Sequence, residues 1–139
     1  MHVVIAADED KPVVGAIAEH LRARGHDAIV LPVTTWGAAA LAVADAVAEK
    51  KADFGVVCCW TGTGVSIAAN KVPGIRAALC ADAQTAAGAR KWNDANVLAL
   101  SLRLTTEATA KEIVDAWLDN RYTGSEDESL KAIKQREPC

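Results

Sequence analysis

Two short segments of the chain carry residue types suited to catalysis. Cys59-Trp60-Thr61-Gly62-Thr63-Gly64-Val65-Ser66 follows one apolar run, and Asp8-Glu9-Asp10 follows another. A thiol at a strand end acts as a general base once ionised, and nearby backbone dipoles or a helix start favour that ionisation. Gly62 and Gly64 let the backbone approach a ligand closely, and the helix behind them offers free N–H groups to negative charge. A phosphate or a developing oxyanion suits such a cradle. The alternative for Cys59 is a buried cysteine behaving as a small hydrophobe. Cys58 fits that description better, because adjacent strand residues face opposite ways. A dinucleotide fingerprint needs a third glycine where Ile67 stands, and no Gly-Lys-Ser/Thr follows, so dinucleotide and NTP sites are disfavoured.

The elements that must position these segments alternate short apolar runs with Ala-rich helical stretches. Strands are predicted at Val3–Ala7, Ala28–Pro32, Phe54–Cys59, Arg76–Cys80 and Val97–Ser101. Helices are predicted from Pro12 to Arg24 with Gly25 as the stop, from Gly37 to Lys50, over Val65–Asn70, Ala83–Lys91 and Thr106–Leu118, and finally over Glu128–Gln135. Near-continuous apolar strands alternating with helices imply a parallel sheet covered on both faces, with right-handed connections. In such sheets ligands sit at the carboxyl ends of the strands, where both chemical segments fall. Residues 1–122 form the predicted α/β domain, and 123–139 a C-terminal helical arm.

The chain has 139 residues, 51% apolar but only 4% aromatic, so small aliphatic side chains must fill one core. A net charge of −3 with no basic stripe argues against nucleic acid as a partner. No apolar stretch reaches membrane-spanning length, and the N-terminus lacks a basic-then-apolar leader. Cys58, Cys59, Cys80 and Cys139 show no Cys-x-x-Cys spacing, so reduced thiols in a cytoplasmic protein are expected.

The stretch Cys59 to Lys71 closely resembles the Cys-Gly-Thr-Gly-x-Gly-x-Ser-Ile-Ala-Ala-Asn-Lys signature of the ribose-5-phosphate isomerase B family, which includes the galactose-6-phosphate isomerase subunits. The similarity continues through Val72–Ala77, Asn93–Ala99 and Arg103 to Ala116-Trp117-Leu118. It implies a Rossmann-like five-stranded parallel sheet flanked by helices. It also implies a homodimer, or a tetramer, with shared active sites, and aldose–ketose isomerisation of a small-molecule sugar or sugar phosphate with no metal or cofactor. By the same resemblance Cys59 is the base, and Thr61 supports it. The backbone from Gly62 through Thr63 and Gly64 to Ser66 holds an enediolate oxygen, Asp8 binds sugar hydroxyls, and Asn93 lies beside the reacting carbonyl.

The chain departs from this pattern in one direction. Asp8-Glu9 replaces an Asp-His whose His contacts phosphate, and Trp92-Asn93-Asp94 replaces a His-Asn-Asp whose His opens the sugar ring. Thr35-Trp36-Gly37 stands near an Asp-Tyr-Pro segment, and Ser125-Glu126-Asp127-Glu128 replaces an arginine-bearing arm. A phosphate dianion wants cations and N–H donors, so Glu9 and an acidic arm would repel it. Trp36 and Trp92 are candidates to stack on a sugar, and Arg103 is an anion contact, with Arg90 and Lys91 behind it. Glu9 is the reserve base. Three readings follow: an isomerase with an altered, even unphosphorylated, substrate that is open-chain or short; a standard ribose-5-phosphate isomerase; or a non-catalytic partner subunit or sugar-binding module.

Overall fold

The computed structural model describes residues 1–138; Cys139, counted above among the thiols and in the arm, lies outside the described residues. Five strands, β1 (His2–Ala7), β2 (Asp27–Val30), β3 (Phe54–Cys59), β4 (Ala77–Leu79) and β5 (Val97–Ser101), alternate with helices α1 (Pro12–Ala23), α2 (Trp36–Ala48), α3 (Thr63–Ala69) and α4 (Ala83–Asn93). Two more helices follow, α5 (Glu107–Asp119) and α6 (Asp127–Lys134). The strands form one sheet in the order β2-β1-β3-β5-β4, and every pairing is parallel. The Rossmann-like α/β prediction therefore holds, but β5 enters between β3 and β4, an order the sequence does not announce.

Right-handed crossovers decide which face each helix covers. Moving from β1 to β2 and from β4 to β5 takes the chain one way, so α1 and α4 lie together, joined by α5. Moving from β2 to β3 and from β3 to β4 takes it the other way, so α2 and α3 pack on the opposite face. Two apolar clusters result. Cys58 belongs to one with Ile17, Leu98 and Trp117, and Cys59 belongs to the other with Val43, Val65 and Ala99. Small residues allow the close packing the composition requires: a Cβ on Gly55 of β3 would collide with Val43 Cγ1 of α2.

Local chemistry sets the helix ends. Pro12 opens α1, and the hydroxyl or carboxylate oxygens of Thr35, Asp82 and Thr106 accept from the backbone of Ala38, Thr85 and Thr109, starting α2, α4 and α5. Gly25, at φ 87°, follows α1 as expected. Lys50 also adopts a positive φ, 60°, which ends α2 before the predicted boundary. β4 is shorter than predicted because only β5 flanks it.

Arg90 is structural. Its half-buried guanidinium lies 4.3 Å from the Phe54 ring centroid and 5.3 Å from that of Trp117, and it donates to the Ala95 and Asn120 carbonyls. That corrects its place among the anion contacts: the side chain is already spent on rings and carbonyls.

The α1–α5 seam makes a testable statement. Burial alone would raise the Asp115 carboxyl, but His20 Nε2 at 2.7 Å and Arg24 at 3.0 Å outweigh it and hold the group below the ordinary carboxylate range. A depressed carboxylate stabilises the fold above its unfolded-state pKa, and the contribution disappears as pH falls through the lower folded value. Asp115→Asn should therefore cost stability at neutral pH but not at about pH 2. With the carboxylate side chain 44% exposed, solvent screening limits the loss to about 0.5–1 kcal/mol by thermal melts.

Candidate active site

The carboxyl ends of β1, β3 and β5 form one rim. Ala7 pairs with Cys58, so the register continues to Asp8 beside Cys59, on the face that α2 and α3 cover. Cys59 is 5% exposed, whereas Trp60, Thr61 and Thr63 after it are exposed. The Thr61 and Thr63 hydroxyls lie 2.7 Å apart. Asp8 is half-buried, and its Oδ1 is fully buried without a hydrogen-bond partner. A buried carboxylate oxygen in that state is a standing demand for a hydrogen-bond donor.

Gly62 makes the turn. Its φ of 75° places it in the left-handed region as the N-cap of α3, with no side-chain cap. The first helical bond runs from Ser66 N–H to the Gly62 carbonyl at 3.3 Å, so the amides of Thr63, Gly64 and Val65 precede any intrahelical acceptor. α3 thus starts two residues earlier than predicted, and those amides lie at the rim rather than in a loop. Ser66 is half-buried on the first turn.

Burial, then the charges of Cys59 and Asp8, push the Cys58 thiol up to about 12, so it stays protonated and inert. Cys80 is likewise pushed up to about 11, first by burial and then by Asp82.

Three rim residues carry weight that the sequence did not give them. Ser101, at the end of β5, donates to the Trp60 carbonyl at 2.9 Å and accepts from Leu104 N–H at 3.3 Å, pinning the exit of β3. Trp36 covers the glycine turn, since a Cβ on Gly64 would lie 2.9 Å from its ring. Lys11 pairs with Glu9 at 3.3 Å and holds its ammonium 5.8 Å from the Trp60 ring centroid. Only tertiary pairing of β1 with β3 and β5 could reveal the first and third; Trp36, the first residue of α2, was singled out from the sequence only as a candidate to stack on a sugar. Arg103 is on the rim too, exposed, its N–H bonded to the Trp60 carbonyl at 3.0 Å.

Trp92 and Asn93 are elsewhere. They end α4, next to Asn96, whose carbonyl accepts from Gly55 at the start of β3. Cys59 is four residues further along that strand, about 13 Å away at the rise of a β-strand. Trp92 lies over Gly88 of its own helix, where a Cβ would come within 2.7 Å of the ring. Both residues line a groove of about 900 Å³ between β4, α4 and α6, which also takes in Leu79, Leu130 and Ile133. Every residue of α6 is exposed or half-buried. Within one chain, then, the predicted site divides between opposite ends of the sheet.

A parallel α/β sheet whose strand-end rim gathers a thiol, an unpartnered carboxylate oxygen and helix-start amides defines a class of protein equipped for proton transfer beside a carbonyl. The chain belongs to the ribose/galactose isomerase family, whose model matches residues 3–134. It is 42% identical over 131 residues to ribose-5-phosphate isomerase B of Escherichia coli, covering 86% of this chain and 87% of that protein. It is 47% identical over 85 residues to the D-erythrulose-4-phosphate isomerase of Pectobacterium atrosepticum, covering 61% of this chain and 56% of that one. The type B ribose 5-phosphate isomerase of Trypanosoma brucei superposes with a TM-score of 0.92 at 40% identity, over 98% of each chain.

Proposed function

We propose that the chain interconverts an aldose and a ketose of a short sugar phosphate, with Cys59 moving the proton between C1 and C2. The observation that carries this reading is Cys59 at the end of β3, beside the unpartnered Asp8 oxygen and ahead of the free amides of residues 63–65. The thiolate takes a proton from the carbon next to the carbonyl, and the electron pair moves onto oxygen to give the enediolate. The amides meet that oxyanion, Asp8 orients the neighbouring hydroxyl and passes its proton to the first oxygen, and the same thiol returns the carbon-bound proton to the neighbouring carbon. Thr61, its hydroxyl 2.7 Å from that of Thr63, stands at the edge of the rim.

The short substrate rests on what is missing from the rim. His20 is bonded to Asp115, His26 to the N-terminal amine, and His2 lies against Asp27 at the amino end of the sheet. None stands on the Cys59 rim of its own chain, and Trp92 stands where the family pattern has a ring-opening His. A four-carbon ketose phosphate has no stable six-membered ring to open, and one relative is named for erythrulose 4-phosphate.

A second copy of the chain completes the site in this reading. Its Trp92–Asn93 corner would meet the 59–66 loop, and its arm would cross the interface with Leu130 and Ile133 inward. Free Cys58, Cys59 and Cys80 fit a reducing cytoplasm, and among the described residues no helix is long and apolar enough to cross a membrane.

The test is NMR in D₂O with tetrose, pentose and hexose phosphates and the free sugars. The expected result is fastest conversion of a tetrose phosphate, with deuterium at C1 or C2. Faster turnover of a cyclic pentose 5-phosphate, or of a free sugar, rejects the substrate assignment.

A further inference from the structure

The rim described above is acidic at Asp8, Glu9 and Asp10, yet the proposed substrate is an anion. Among the described residues its cations are Lys11 and Arg103; Arg76, at the far end, is tied to Asp94 at 3.2 Å. Lys11 is held where it counts. It is the N-cap of α1 in extended conformation, makes no side-chain cap, and leans its ammonium over the ring of Trp60, the residue after Cys59.

We infer that Lys11 recognises the anionic end of the substrate, and that Glu9 is the partner from which substrate displaces it. This rests on the phosphorylated-substrate reading above. Both side chains of the Glu9–Lys11 pair are 43% exposed, and an exposed pair two residues apart is a weak tie that solvent screens. A phosphate dianion offers more charge and more acceptor oxygens than one carboxylate, so it competes well for the same ammonium. The flat face of Trp60, the residue after Cys59, keeps the ammonium at the rim while it exchanges partners. Glu9 thereby sets specificity: its repulsion disfavours every ligand whose anionic group fails to capture Lys11.

The experiment titrates inorganic phosphate into the full-length protein at low salt by calorimetry, with wild type, Lys11→Met, Lys11→Arg and Glu9→Gln. Lys11→Met should weaken phosphate about tenfold, Lys11→Arg should stay within about threefold of wild type, and Glu9→Gln should bind several-fold tighter. In turnover, Lys11→Met should raise KM for the phosphate ester about tenfold, with kcat within about threefold and no change for the free sugar. Equal phosphate affinity in wild type and Lys11→Met overturns the inference, as does wild type showing no binding up to tens of millimolar. Absence of turnover on every sugar phosphate would instead reject the isomerase reading, while the phosphate titration still decides Lys11.

Discussion

Replacing Cys59 with serine should lower kcat by about 10³-fold and leave the fold intact, because a positioned general base contributes on the order of 10²–10⁴ in rate. The hydroxyl nearly matches the thiol in size, and the sulfur packs against Val43, Val65 and Ala99 without holding any hydrogen bond network. Circular dichroism should therefore change little, and the melting temperature should fall no further than in the Cys58 control, while turnover collapses. Cys58→Ser is the matched contrast. That thiol is fully buried in the other cluster and pushed up to about 12, so serine there should cost stability through an unpaired hydroxyl and touch the chemistry only indirectly. The 5% exposure of Cys59 in the single chain makes subunit mixing informative. Inactive Cys59→Ser and Asn93→Ala proteins should regain activity together if the site forms between copies, since one site of the mixed dimer would carry neither change. Full activity of Cys59→Ser alone would move the proton transfer to another group, with Glu9 next in line.

Gly62→Ala should remove activity by dismantling the turn. The left-handed backbone at φ 75° strains any L side chain, and the added Cβ would lie 2.9 Å from the Leu100 carbonyl carbon and 3.0 Å from Ser101 N. Those two atoms are backbone of β5, paired on both sides by β3 and β4, so neither side can yield without shifting the rim. Strain and overpacking together should cost about 2–4 kcal/mol, lowering the melting temperature by about 10 °C. Gly74→Ala separates the two effects. Gly74 has φ 85° but nothing within 4 Å of a Cβ, so it should show only the strain, about 1 kcal/mol, with activity retained. Equal losses for both variants would show that close packing at Gly62 does not matter.

β3 and β5 could be read to the residue because every residue but Phe54 is buried, and a continuous apolar run leaves no other period to fit. Cys58 and Cys59 were assigned to opposite faces by strand geometry alone, and the two apolar clusters divide at that bond. Helix starts at Pro12, Thr35, Asp82 and Thr106 are local matters of capping, whereas α3 was placed late because its cap is a glycine with no side chain to read.

The residues of the chain thus determined the class of fold, the family and the strand-end thiol with its glycine turn, all of which depend on neighbours in sequence. Tertiary structure alone decided that β5 slips between β3 and β4, that Ser101 and Lys11 reach the rim of Cys59, and that Arg90 is committed to Phe54 and Trp117. It also decided that Trp92 and Asn93 stand a sheet's length from the thiol of their own chain. The reason is the parallel crossover: each helix carries the chain back from the carboxyl end of the sheet to the amino end. Residues close in the family's motif order can therefore lie at opposite edges of the domain, and spacing along the chain does not record which edge.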